Sequence, residues 1–261
     1  MIGSKEGNVD TSPGRRQLPT IEILGVKIHA VSMKSAVQVI EDFVEEGVPR
    51  LVITADSSGI VLAQSDQHWK DVLNSADLVT PDSNGVVWAA RRQGTPLRER
   101  VSGVDLLDIL CSRAAKKGYR VFLLGAAPGI AEKAAERLQA RHPGLNVVGT
   151  HHGFFGKEEE AAIVAQIRDL QVDLLFVAMG IPRQEMFIYD HKYEMAAKVA
   201  MGVGGSLDVW SGTVKRAPRL VRALKLEWLW RLILNPRKWK KALTLPKFWW
   251  LVMTRVRRSP D

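Results

Sequence analysis

Arg120-Val-Phe-Leu-Leu-Gly125-Ala-Ala-Pro-Gly129-Ile130-Ala-Glu-Lys-Ala-Ala-Glu-Arg-Leu-Gln-Ala-Arg141 decides the fold class of this 261-residue chain. Arg120–Leu124 reads as a strand, Gly125–Gly129 as a turn, and Ile130–Arg141 as a helix stopped by Pro143–Gly144. The same unit recurs on both sides. Upstream, Ile21–Ile28 predicts a short hairpin turning at Gly25, and Ser35–Glu45 a helix with apolar spacing at Ala36, Val39, Ile40 and Phe43. Leu51–Ala55 predicts a buried strand, Ile60–Ala63 and Trp69–Leu73 helical pieces, Asp77–Thr80 a short strand, and Val104–Lys117 a helix. Downstream, Val147–Thr150, Lys157–Leu170, Asp173–Met179, Arg183–Lys192 and Lys198–Val203 continue the alternation. Strands separated by helices predict an α/β, Rossmann-like domain with a largely parallel sheet covered on both faces. The predicted organisation is a disordered leader over residues 1–20, this domain over 21–212, and a helical appendage over 213–261.

The appendage differs in charge from the body. From Thr213 to Asp261 there are fourteen Lys or Arg against two acids, whereas residues 1–212 hold 23 basic and 26 acidic residues. Five of the eight tryptophans, Trp228, Trp230, Trp239, Trp249 and Trp250, lie in the same stretch. Basic groups beside indoles suit an anionic membrane surface. Pro218, Pro236 and Pro246 place proline near the start of three short helices. Val221, Leu224, Trp228 and Leu232 form an apolar stripe, and Arg219 and Arg222 share a face. The plainer alternative is a final helix pair docked on the body with its basic groups solvated. The longest apolar tail run, Phe248–Met253, is far short of the roughly 20 residues that span a bilayer. The first twenty residues lack the apolar core of a secretory signal. The expected location is therefore the cytoplasmic face of the membrane, held peripherally. A lone cysteine, Cys111, excludes an internal disulfide and a multi-cysteine zinc site.

In open parallel sheets ligands bind beyond the carboxyl ends of the strands. Five strand-ending segments fall there: Thr54-Ala-Asp56, Thr80-Pro-Asp82-Ser-Asn-Gly85, Gly125–Gly129, Gly180-Ile-Pro-Arg-Gln184-Glu185 and Gly202-Val-Gly204-Gly205-Ser-Leu-Asp208. Gly125–Gly129 offers free amides at a helix start to a phosphate, or is simply a tight turn. Gly204 and Gly205 allow close approach of a ligand, with Asp208 placed to accept hydrogen bonds from a ribose or base. Asp82, after Pro81, is either a general base or part of ordinary turn chemistry. Asp56 either joins that site or caps the helix beginning near Ser58. His151–His152 reads as loop surface. With no Asp-x-Asp pair in the chain, a divalent cation bridging a diphosphate has no evident anchor, so no cofactor and no metal are expected.

These segments, with Ala76-Asp77, Arg100-Val-Ser-Gly103-Val-Asp105, and Arg216-Ala-Pro218 followed by Glu227-Trp228-Leu229, occur in one order and spacing. In them the chain resembles the bacterial WecG/TagA/CpsF glycosyltransferases from about Ile21 to Arg231. The resemblance implies an inverting transferase. It would move an N-acetylmannosamine-type sugar from a uridine diphosphate donor to undecaprenyl-diphosphate-linked N-acetylglucosamine, in teichoic acid, common-antigen or capsule assembly. It also implies a C-terminal appendage that contacts the membrane and helps complete the site.

Carried over by matching positions, the catalytic base falls at Asp82, with Thr54 beside it in the acceptor pocket. Arg100 and Gln184 match pocket positions, and Asp208 a nucleotide-side one. Asp56 stands where many relatives have Asn, and Asp82-Ser-Asn-Gly85 replaces a direct Asp-Gly. Arg216, Arg219, Arg222 and Arg231 are candidates for the acceptor diphosphate and the membrane, because guanidinium binds phosphate oxygens bidentately. An alternative within the family uses UDP-glucose or a UDP-uronic acid. An oligomer is possible. A basic, aromatic tail also fits a nucleic-acid binder, but that class does not require ordered Gly and Asp loops at strand ends; no nucleic-acid partner is expected. A nicotinamide- or methyl-donor-dependent enzyme lacks its Gly-x-Gly-x-x-Gly signature here.

Overall fold

The structure is a computed structural model, and it describes residues 18–218, 220, 221, 229, 230, 232 and 244–255. Arg219, Arg222, Arg231, Trp228, Trp239 and nearly all of the expected leader lie outside the described residues.

A hairpin of β1 (Thr20–Ile23) and β2 (Val26–His29) turns at Leu24–Gly25, where both residues have positive φ. The main sheet contains β3 (Arg50–Ala55), β4 (Leu78–Pro81), β5 (Arg120–Gly125), β6 (Asn146–His151), β7 (Leu174–Ala178) and β8 (Val199–Gly202). Their order is β4-β3-β8-β7-β5-β6, and every pairing is parallel. The expected architecture of strands alternating with helices is therefore present.

The strands are apolar on both faces because both are covered. Leu51, Ile53 and Ala55 of β3, with Phe122 and Leu124 of β5, pack under α2 (Ser57–Leu62), α3 (Gln67–Ser75), α4 (Asn84–Gln93), α7 (Lys157–Asp169) and α8 (Arg183–Met195). Val52, Val121 and Leu123 point the other way, against α1 (Met33–Glu46), α5 (Gly103–Lys117), α6 (Ile130–Arg141) and α9 (Ser206–Trp210). Each large side chain so buried contributes about 1.5–3 kcal/mol. Local signals set the ends. Ser32 and Ser35 form a capping box at α1, and Gly47 closes it in the left-handed conformation.

Two elements depart from the expected reading. The sequence of Pro81–Gly85 has turn chemistry and predicts no helix, yet α4 begins at Asn84. Ser83 accepts from the amide of Val86 and caps it, while Val86, Ala89 and Ala90 bury one face. Turn and cap chemistry use the same residues, which is why the helix start was hidden. Likewise Gly202–Asp208 was assigned to a loop, but Ser206–Trp210 closes a short helix and puts Asp208 in its first turn.

Of the appendage, the last described element is α10 (Thr244–Arg255), which holds Pro246 in its first turn, as expected. Phe248, Leu251 and Val252 are buried with the α2 and α4 side of the core, so α10 docks on the body. Trp249 and Trp250 remain over half exposed, at 54% and 56%, with Trp249 stacked on Trp88 at 6.4 Å. No described helix is long and apolar enough to cross a membrane.

Candidate active site

The strand order brings the exits of β4, β3 and β8 together. Thr54 pairs in register with Thr80, and Ala55 with Pro81, so Asp82 leaves the sheet beside Ala55–Asp56. The amide of Asp82 donates to the carbonyl of Ala55 at 2.9 Å. Its carboxylate Oδ1 accepts from the amide of Gly103 at 3.2 Å. Gly103 opens α5, whose own N-cap residue, Ser102, makes no side-chain cap bond. Asp82 thus caps this helix from a neighbouring loop, and the positive end of the helix dipole attracts the carboxylate.

Thr54 lies against the same turn. A side chain added at Gly103 would meet Thr54 Oγ1 and Cγ2 at 3.3 Å. The Thr54 hydroxyl donates to the carbonyl of Gly202 at 3.0 Å, tying β3 to β8 under the crevice. Asp56 caps α2: its Oδ1 accepts from the Gly59 amide at 2.9 Å and the Ser58 hydroxyl at 2.5 Å. Arg100 is half-buried in the segment leading to α5, and its neighbour Val101 donates to the carbonyl of Pro81 at 2.9 Å. That bond sets the Arg100 segment alongside Asp82.

Farther along the sheet edge, Gln184 is 1% exposed. Its Oε1 accepts from the amides of Gly180 and Gly204 at 3.0 and 3.1 Å, and its Nε2 donates to Glu185 at 2.6 Å. This side chain joins the loops after β7 and β8 rather than projecting from them. Gly204 has φ +52° and Gly205 is exposed, so this loop presents backbone outward. Asp208 is half-buried at the start of α9. Gly125 has φ +129°, and any added side chain would fall 2.5 Å from the Ala178 carbonyl. The Ala126 amide donates to that carbonyl at 2.8 Å, locking the turn before α6 onto β7.

Arg216 bonds Asp105 in the first turn of α5, Nη2 to Oδ1 at 2.6 Å. The start of the appendage is thus held two residues from Gly103. Among the described residues the buried Nε of Arg216 has no hydrogen-bond partner.

Several residues escaped the sequence reading. Ser57 and Ser83 touch only because β3 and β4 are neighbours, a register that no local pattern announces. The loop after β6 packs on the Gly125 turn through the Gly153 amide, 2.8 Å from the Ala126 carbonyl. Arg183 clamps the carbonyls of Gly153 and Phe155 at 2.8 and 3.1 Å, while Phe154 between them is 70% exposed. His151 Nδ1 bonds the carbonyl of His152, and among the described residues no three His, Cys, Asp or Glu side chains group to hold a metal.

An aspartate aimed by a helix N-terminus, with glycine loops and a half-buried arginine along one sheet edge, can deprotonate a hydroxyl and receive phosphate groups. The model of the glycosyl transferase WecG/TagA/CpsF family matches residues 21–261. The chain belongs to this family. The chain is also similar to a Bacillus spizizenii protein, 36% identical over 217 residues, 83% of this chain and 84% of the relative. A Bacillus subtilis protein is 34% identical over 206 residues, 79% of this chain and 80% of its own length. A Staphylococcus aureus protein is 33% identical over 246 residues, 94% of this chain and 96% of its own. All three carry the name N-acetylglucosaminyldiphosphoundecaprenol N-acetyl-beta-D-mannosaminyltransferase.

Proposed function

We propose that this chain is an inverting hexosyltransferase. It moves N-acetylmannosamine from a uridine diphosphate donor to the N-acetylglucosamine of an undecaprenyl-diphosphate-linked acceptor, in cell-surface glycan or teichoic acid assembly. The names and coverage of the relatives support the reaction. The observation that carries the site is the Asp82 carboxylate, held at the sheet edge by the amide of Gly103, the residue that packs against Thr54.

In this reading Asp82 takes the proton of the acceptor hydroxyl as its oxygen attacks the anomeric carbon. The bond from that carbon to the diphosphate breaks in the same displacement, and uridine diphosphate leaves with the electron pair. A single displacement inverts the carbon, so one base suffices. The leaving charge is met by Arg100, with no metal invoked. Gly204, Gly205 and Asp208 face the nucleotide. Arg216, with Arg219, Arg222 and Arg231 of the appendage, serves the acceptor diphosphate. Asp56 acts through α2, the helix it caps.

The appendage also supports peripheral attachment to an anionic membrane surface. The exposed Trp249 and Trp250 of α10 lie beside a run of basic sequence, and each basic residue near such a surface is worth about 1 kcal/mol.

The test incubates the protein with a panel of UDP-sugars and a short-chain lipid-diphosphate N-acetylglucosamine acceptor, with the product weighed by mass spectrometry. Addition of one N-acetylhexosamine from UDP-N-acetylmannosamine is expected. Transfer only from UDP-glucose or a UDP-uronic acid would reassign the donor, and no transfer from any donor would defeat the reading.

A further inference from the structure

We infer that Ser57 and Ser83 form a hydroxyl clasp that positions Asp82 for proton transfer. The inference rests on the reading of Asp82 as the base.

β3 and β4 leave the sheet side by side, and each runs directly into a helix start, Ser57 at α2 and Ser83 as the cap of α4. The two hydroxyls share a hydrogen bond of 2.9 Å. Ser57 is 2% exposed, so water does not compete for it. The space beyond is fitted to it as well. A side chain at Gly85 would collide with Ser57 Oγ, so the Ser57 hydroxyl occupies the room that a glycine leaves in the first turn of α4.

Asp82 is therefore restrained from three directions. Its amide is tied to Ala55, its carboxylate to Gly103, and the residue that follows it to Ser57. The start of α4 already holds the peptide after Asp82, and the clasp ties that start to the exit of β3. The residue after Asp82 is serine, and its hydroxyl is what the restraint uses. Positioning of this kind acts on the rate of the bound complex, since a small misplacement of a base weakens proton transfer far more than substrate binding. Ser57 and Ser83 are positioning residues, and neither is assigned a contact with substrate.

The experiment measures kcat and KM for both substrates with the full-length enzyme as Ser57→Ala, Ser83→Ala and Ser83→Thr, each alone and combined with Asp82→Asn. Ser57→Ala leaves Ser83 free to cap α4, so it separates the clasp from helix stability. Loss of the clasp is expected to lower kcat about tenfold, the scale of one lost hydrogen bond. KM should stay within about twofold, as for an interaction that acts mainly in the transition state. Ser83→Thr, which keeps the hydroxyl, should restore kcat. With Asp82→Asn already present, the serine substitutions should leave the residual rate unchanged, because there is no base left to aim. An unchanged kcat in Ser57→Ala, or an equal loss with and without Asp82, overturns the clasp while leaving the base assignment intact. Wild-type turnover in Asp82→Asn alone overturns the base assignment and this inference with it.

Discussion

The amide of Gly103 donates to the carboxylate of Asp82 across 21 residues of sequence, and in doing so gives α5 the cap that Ser102 does not supply. One bond thus serves both stability and the proposed chemistry. It fixes the carboxylate relative to the sheet and relative to the turn that also holds Arg216 through Asp105.

Thr54 should prove a positioning residue in the first instance. Its hydroxyl is engaged by the Gly202 carbonyl at 3.0 Å. Thr54→Val keeps the shape and deletes that bond, so about 1 kcal/mol of stability should go, read as a lower midpoint in urea. The loss in kcat should be smaller than for Asp82→Asn in the same assay.

Gln184 joins two loops from a buried position. Gln184→Ala strands the half-buried amides of Gly180 and Gly204, and losing the two hydrogen bonds costs about 0.5–1.5 kcal/mol each. Chemical denaturation should show a marked loss of stability. KM for the nucleotide donor should rise, because the Gly204–Gly205 loop is no longer held.

Cys111 should be silent toward thiol reagents in the folded protein. Burial pushes its thiol well above the ordinary range, with the nearby Asp108 adding to the shift. The thiolate is the reactive form, so at pH 8 iodoacetamide should label the native protein negligibly and the denatured protein fully, read by intact mass.

Much of the fold was legible because its strands are short apolar runs between turn residues, a pattern that survives without tertiary knowledge. The helix Ile130–Arg141 was bounded in sequence by Gly129 and Pro143, and in the structure Gly129 is its N-cap and His142, just before Pro143, its C-cap. The start of α4 was not legible, since Ser83-Asn84-Gly85 serves a turn and a helix cap equally well. The site was legible in part. Thr54 lies at the end of β3, Asp82 follows β4, and Gln184 and Asp208 lie in the segments after β7 and β8, while Arg100 lies in the connection from α4 to α5. What most of the side chains hold was not legible. That Gln184 turns inward to the Gly204 loop and that Ser57 meets Ser83 depend on which strands are neighbours, and parallel sheet order is non-local; the Asp56 cap of α2 is a local contact and was one of the two roles read from the sequence.

The outward face of α10 should govern attachment to lipid. Trp249 and Trp250 face outward while Phe248, Leu251 and Val252 hold the helix to the body. Replacing both tryptophans by serine should lower the thermal midpoint only modestly, through loss of the Trp249 stack on Trp88. It should also reduce flotation with anionic liposomes several-fold, and high salt should weaken the remainder.

The most direct measurement of the central claim is single-turnover transfer by Asp82→Asn with saturating donor and acceptor. The side chain keeps its size and its capacity to accept from Gly103 but loses its basicity. A fall in rate of at least about 100-fold with substrate binding retained is expected for a lost general base. A rate within about threefold of wild type would contradict the assignment and move the base elsewhere in the crevice.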